Sequence, residues 1–380
     1  ALRGLLEPSD LRVDDLRFTE DEAGAFFAKA LPGDLPQEAL AALDQALETI
    51  CLYYTWRHRF PEGLDLCQKL IAYCQNQDFP NASIKHQRLY ARGLSHLASF
   101  MPLYQAEPPL RQSLEILEKL RASGDISRDT YAALGQTSFE LARTISQTGK
   151  TAEAEELLDT SIKISEELED NYLQAVSLCI LGSLLWDQSE YELSKKHITK
   201  SIKIHKELGD RRGMAASLLW LGMNTLFQGN EQGEQFIRES VTIFTEMGEY
   251  DRVIDGVELA GVALMVQGKY TEARSLIEET VMASPKLLFR QASIESVLAA
   301  ALTHLGHYSE ASERAKAGLK RTRQSSIPFG LSFSLLVNGW LALIENQNAQ
   351  AFEMFQESAE ICLEHNLKDL YTWTLGSQSF

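Results

Sequence analysis

An all-α fold, built as a solenoid of stacked helix–turn–helix units, is what this sequence predicts. Three observations carry the prediction: a short motif recurs every 38 to 40 residues, a small residue stands seven positions before each copy's turn, and apolar residues between copies fall at three- and four-residue steps. No stretch shows the strict alternation of a half-buried strand.

The motif copies are Thr148-Gly149-Lys150-Thr151-Ala152-Glu153-Ala154, Gln188-Ser189-Glu190-Tyr191-Glu192-Leu193-Ser194, Gln228-Gly229-Asn230, Gln267-Gly268-Lys269-Tyr270-Thr271-Glu272-Ala273 and Leu305-Gly306-His307-Tyr308-Ser309-Glu310-Ala311. A weaker copy lies at Asn346-Gln347-Asn348-Ala349-Gln350-Ala351, and His58-Arg59-Phe60-Pro61-Glu62-Gly63 looks like the first of the series. Each combines a flexible turn residue, an aromatic wedge such as Tyr191, Tyr270 or Tyr308, and a small residue where two helices would touch. The leading helix before each turn carries Ala142, Gly182, Gly222, Gly261, Ala299 or Gly339. Glycine inside a helix costs about 1 kcal/mol relative to alanine, so its repeated use implies a neighbouring helix that needs the space.

The trailing helices repeat as Ser161-Ile162-Lys163-Ile164, Ser201-Ile202-Lys203-Ile204 and Ser240-Val241-Thr242-Ile243, and stop at Glu169-Asp170, Gly209-Asp210 and Gly248-Glu249. This register gives about eight helical pairs over residues 39–380, the second of them (Ser83 to Asp125) distorted by Met101-Pro102 and Glu107-Pro108-Pro109. The final unit begins at Leu370 and is cut off. Because a missing partner helix would leave an apolar face uncovered, and because the chain opens on Ala1, the sequence predicts a piece of a longer protein that continues beyond Phe380.

Bulk composition bounds the function. The 380 residues are 44% apolar and 23% charged, enough material for a large core. A net charge of -17 repels phosphate backbones and anionic lipid, so direct nucleic-acid or membrane binding by this segment is not expected. The five cysteines are odd in number and form no C-x-x-C pair, which fits buried thiols in a reducing cytoplasm. No window reaches the length of a membrane span, and a cytoplasmic location makes the sequon Asn81-Ala82-Ser83 inert.

The glycine, tyrosine and alanine pattern resembles the tetratricopeptide-repeat (TPR) family in its longer form of about 40 residues, and within it the sensor region of MalT-like activators and related signal-transduction ATPases with numerous domains (STAND). The resemblance implies a right-handed superhelical solenoid whose leading helices line a concave groove. Residues 1–38 are more specific: Leu11-Arg12-Val13-Asp14-Asp15-Leu16-Arg17-Phe18-Thr19, with Glu22-Ala23 and Phe26-Phe27, resembles the last part of the ATPase domain in such regulators. Where that family continues with Glu-Gly-Trp, Asp44-Gln45-Ala46-Leu47 stands here. The segment is read as a remnant of an ATPase-domain connector or as an amphipathic cap on the solenoid.

No catalytic machinery emerges, and the chain is expected to be a binding module without enzyme activity, cofactor or metal. Gly149-Lys150-Thr151 imitates the end of a phosphate loop, but Thr144 stands where the first glycine is needed and no strand precedes it. His304, His307 and Glu310 are spaced as metal ligands on one helix would be, yet they straddle the turn at Gly306. The basic run Arg314, Lys316, Lys320, Arg321 and Arg323 reads first as a solvated face and second as a contact for phosphate or an acidic partner. Placed on the concave wall by the repeat register are Gln136, Arg143, Trp186, Asp187, Met223, Phe227, Glu258, His304 and Trp340, which would take a protein or peptide partner or a small-molecule effector. Two functions follow from that placement: the sensor or interaction module of a multidomain bacterial signalling or transcription regulator, and a constitutive protein–protein scaffold that needs no ligand.

Overall fold

The computed structural model describes residues 37–56, 59–75, 82–146, 148–283, 294–324, 328–365 and 367–378. Residues 1–36, and with them nearly all of the N-terminal resemblance, lie outside the described residues, as do His58 of the first motif copy and Asn81 of the sequon. The described chain is all helical, with 17 helices and no strand among the described residues.

Two compact units divide it. The first comprises residues 1–145 and 152–174, the second residues 146–151 and 175–380. Helices α1 (Gln37–Trp56), α2 (Phe60–Gln75), α3 (Ile84–Ser99), α4 (Leu103–Ala122), α5 (Arg128–Ser146) and α6 (Thr151–Leu168) belong mainly to the first. The second is built from α7 (Asn171–Asp187), α8 (Tyr191–Glu207), α9 (Arg211–Phe227), α10 (Gln232–Glu246), α11 (Tyr250–Val266), α12 (Tyr270–Ala283), α13 (Ile294–His304), α14 (Tyr308–Thr322), α15 (Pro328–Ile344), α16 (Asn348–Glu364) and α17 (Lys368–Gln378). Odd-numbered helices lead and even-numbered ones trail. In the second unit each leading helix from α9 to α15 packs on its own trailing partner and also on the next leading helix, the arrangement that lets a repeat array bury one continuous core.

The recurring small residues sit where backbones approach most closely. A Cβ on Gly222 would lie 2.7 Å from the carbonyl oxygen of Gly233, so α9 and α10 cross with glycine facing glycine. On Gly339 it would fall 2.3 Å from the Phe355 ring, and on Gly182 2.4 Å from Ile198. The second small residue of each motif, Ala154, Ser194, Gly233, Ala273, Ala311 and Ala351, is buried in every copy. The turn position takes the left-handed conformation at Gly149, Gly229, Gly268 and Gly306, and also at Ser189 and Asn346, where the motif lacks glycine.

A buried serine on several trailing helices ties each pair together. Ser113, Ser201 and Ser240 each donate to a leading-helix carbonyl, those of Ala91, Ala175 and Ala215, all at 2.7 Å. A hydroxyl satisfied in this way removes the desolvation cost of its own burial and fixes the axial register of the pair.

The second pair keeps two continuous helices despite its three prolines. Pro102 serves as N-cap of α4, and the helix runs on through Pro108 and Pro109. Those two residues lack an N–H, so the carbonyls of Tyr104 and Gln105 lose their helical donors, while α4 still packs along α3.

Candidate functional site

Within the first unit, α5 presents Gln136, Glu140 and Arg143 at helical spacing. Gln136 Nε2 donates to Glu140 Oε1 at 3.4 Å, and Arg143 Nη2 donates to Glu140 Oε2 at 2.6 Å. The carboxylate of Glu140 raises the Arg143 guanidinium further above neutrality, against the opposing effect of burial. This row satisfies itself. Deeper in the same unit, Asp44 of α1 is bracketed by Arg88 and Arg92 of α3, with Arg88 only 5% exposed and 3.1 Å from Asp44 Oδ2.

The second unit differs. Trp186 of α7 lies 5.0 Å, ring to ring, from Phe227 of α9 in an edge-on contact, and 5.9 Å from Trp220 of the same helix. Phe227 in turn stacks on Trp373 of α17, with centroids 6.4 Å apart and planes within 12°. Trp186 is 7% exposed, and its indole Nε1 is buried with no hydrogen-bond partner. Unpaired buried donors are rare in folded proteins, so this one calls for an explanation.

A second aromatic group lies on the following helices. His304 at the end of α13 stacks on Tyr270 at 4.3 Å and meets Trp340 of α15 edge-on at 5.8 Å. Partial desolvation lowers the His304 imidazole from its usual range, favouring the neutral form, although the residue as a whole stays exposed. The indole of Trp340 donates to Ser377 Oγ of α17 at 2.7 Å, and Ser377 donates back to the Trp373 carbonyl at 2.9 Å. Trp373 and Ser377 of α17 thus touch both aromatic groups.

Of the nine residues that the register places on the groove wall, Trp186 and Phe227 come together, as do His304 and Trp340, and Gln136 shares Glu140 with Arg143. Asp187 and Glu258 are half-buried. Met223 is a correction: it is fully buried in the second unit's core, because α9 is covered by α8, α10 and α11 together and only part of its circumference remains open. Sequence reasoning missed Trp220, Tyr270, Trp373 and Ser377. One signal was available, since all five tryptophans fall on leading helices, Trp56 on α1 and the other four on α7, α9, α15 and α17 of the second unit.

The remaining motifs resolve structurally. Gly149-Lys150-Thr151 forms the α5–α6 turn, with Gly149 at φ 82° and Thr151 opening α6. Among the described residues no three His, Cys, Asp or Glu side chains gather as a metal ion would require, and no helix is long and apolar enough to cross a membrane. The basic run is split: buried Glu295 holds Arg314 at 3.2 Å and Arg321 at 3.8 Å, while Arg323 pairs with Glu357 at 2.7 Å.

Comparison with solved structures places the fold among TPR-like helical-repeat proteins. The chain is similar to a Rap protein complexed with competence and sporulation factor, at a TM-score of 0.62 and 10% identity over 90% of this chain and 97% of that one. It is similar to NprR in complex with its cognate peptide NprX, at a TM-score of 0.52 and 14% identity over 71% of this chain and 79% of that one. A STAND protein with a tetratricopeptide-repeat sensor from Pyrococcus horikoshii matches at a TM-score of 0.53 and 13% identity, over 95% of this chain but 56% of that one. No family profile matches the sequence, and no curated protein matches it.

Proposed function

We propose that the chain is the sensor or interaction module of a multidomain bacterial signalling or transcription regulator, and that the aromatic wall of its second unit binds a protein or peptide partner or a small effector. The carrying observation is the buried, unpaired indole N–H of Trp186, enclosed by Trp220, Phe227 and, through Phe227, Trp373. A peptide carbonyl or a carboxylate would satisfy that donor, and the rings supply the apolar surface that such sites use to hold a ligand. Phe227 packs edge-on against the Trp186 ring and stacks on Trp373, so a ligand that displaced Phe227 would bias the position of α17. That is a population shift of the kind a sensor needs. Asp187, Glu258, His304 and Trp340 would contribute the neighbouring contacts, with Gln136 and Arg143 as the first unit's own polar wall. That two structures of like fold contain a bound peptide or factor agrees with this choice of partner.

The test is a thermal-shift screen of the purified chain against short peptides, sugars and nucleotides, followed by titration calorimetry of any hit on the wild type and Trp186→Phe. Binding to the native state alone raises the melting temperature by mass action. A saturable shift that Trp186→Phe abolishes supports the reading. If no small ligand or peptide shifts the melting temperature and intact partner proteins co-purify instead, the chain is a constitutive scaffold.

A further inference from the structure

A cavity of about 330 Å³ lies between the trailing helices α14 and α16 and is floored by α15, away from the aromatic contacts of the leading helices. Leu319, Leu341 and Met354 give it an apolar base, and Lys316, Lys320 and Arg323 edge it along α14. Lys316 and Lys320 are exposed and have no carboxylate partner among the described residues, unlike Arg314 and Arg321, which Glu295 holds. Of the acidic groups around it, Glu345, which also lines the cavity, accepts a hydrogen bond from Ser312 Oγ at 3.2 Å, Glu357 pairs with Arg323 at 2.7 Å, and Glu313 stands exposed one turn before Lys316. In a chain of net charge -17, a cationic row above an apolar floor is a local reversal of sign.

We infer that this groove docks an acidic amphipathic helix of a partner protein. Lys316 and Lys320 stand four residues apart, and Arg323, at the C-cap of α14 and shared with Glu357, follows three residues on, so the row extends over roughly 10 Å. That is too long for one phosphate or carboxylate and matches acidic side chains repeating at three- and four-residue steps. The apolar base accepts one or two leucine- or methionine-sized side chains from the same helix, the mode by which amphipathic helices enter grooves. A polyanion without apolar groups would gain nothing from the floor and would be repelled by the rest of the chain.

The experiment is fluorescence anisotropy with a set of labelled 15-residue peptides carrying Glu or Asp at helical spacing on one face and Leu or Met beside it, together with a lysine-for-glutamate control set. Wild type is compared with the double variant Lys316→Glu/Lys320→Glu and with Lys195→Glu/Lys196→Glu, which makes the same charge change at exposed sites on α8. Circular dichroism checks that each variant is folded. Expected is binding of acidic peptides that salt weakens, that the α14 reversal weakens by roughly tenfold or more, and that the α8 reversal leaves nearly unchanged. The inference is overturned if no acidic peptide binds more tightly than roughly 1 mM, or if both reversals weaken binding equally. It is also overturned if a single-stranded RNA of equal charge binds as well with the same lysine dependence. Sedimentation that shows dimers lost on the α14 reversal would assign the groove to a second copy of the chain and overturn it too.

Discussion

The two units use one repeat to build walls of opposite character. Glu140 in the first and Trp220 in the second each stand two residues before the recurring small residue, Ala142 and Gly222 respectively. In the first unit that position anchors a row of side chains that satisfy one another; in the second it contributes to an aromatic cluster with an indole donor left over. Ala142 and Gly222 hold the same place in the repeat, so the helix crossing that a small residue permits does not dictate the wall chemistry two residues before it. A wall whose polar groups are already paired gains little from a ligand, whereas one with an unpaired buried donor gains a hydrogen bond.

Truncating the aromatic wall should have the largest effect. Trp186→Ala removes a nearly buried indole and is expected to cost about 4 kcal/mol, seen by hydrogen exchange as loss of protection in α7 and α9. Trp186→Phe keeps most of the packing and deletes the unpaired donor, so its stability should stay within about 1 kcal/mol of wild type. A large loss on Trp186→Phe would mean that the N–H is paired in solution and that the contrast between the walls is false.

In the first unit the corresponding weak point is ionic. Arg88→Ala removes the contacts to Asp44 and Asp129, leaves half-buried Asp44 with Arg92 alone, and is expected to cost about 2 kcal/mol, below the range for a fully buried pair, because one partner and some solvent remain. Denaturant unfolding measures the cost, and exchange in α1 and α3 localises it.

Acid should also act on the first unit. Burial, helped by the positive charge of Arg92, pushes the His96 imidazole down to about 3, whereas an unfolded histidine titrates near roughly 6.5. The unfolded chain therefore binds the extra proton first, and the stability that the neutral ring permits is lost as pH falls from about 6.5 toward about 3. A loss of order 2 kcal/mol between pH 7 and pH 5 is expected, and His96→Gln should flatten that part of the profile.

How much of this was legible in the sequence follows from where side chains are constrained by the backbone. Gly222 and Gly339 were readable because a helix crossing tolerates no Cβ there, and that requirement recurs with the repeat. The stops at Gly209 and Gly248 were readable for a similar reason, the positive φ that ends the trailing helix. Met223 was misplaced because a leading helix covered on three sides is apolar almost all round, and its pattern does not mark the open strip. Trp373 could not be connected with Phe227 at all: the two lie 146 residues apart, and nothing local to either specifies the contact. The serines that tie helix pairs together were visible as the repeated Ser201 and Ser240, but the repeat gave no hint of their carbonyl partners Ala175 and Ala215, and Ser113 lies outside it.

The smallest effects concern turns that lack glycine. Glu169 in the first unit and Ser189 in the second hold φ of 57° and 65°, a left-handed conformation that costs an L-residue roughly 1 kcal/mol. Glycine removes that cost but brings a more flexible unfolded chain, which offsets part of the gain. Glu169→Gly and Ser189→Gly are each expected to stabilise their own unit by about 0.5 kcal/mol, and Asn346→Gly by less, because asparagine tolerates this conformation better. Gly268→Ala, at φ 74°, should destabilise the second unit by about 1 kcal/mol. Chemical denaturation of the four variants decides whether the turns are interchangeable between the units. Equal gains at Glu169 and Ser189 would show that the units differ in their walls alone, and a gain confined to one would show that the difference reaches the backbone as well.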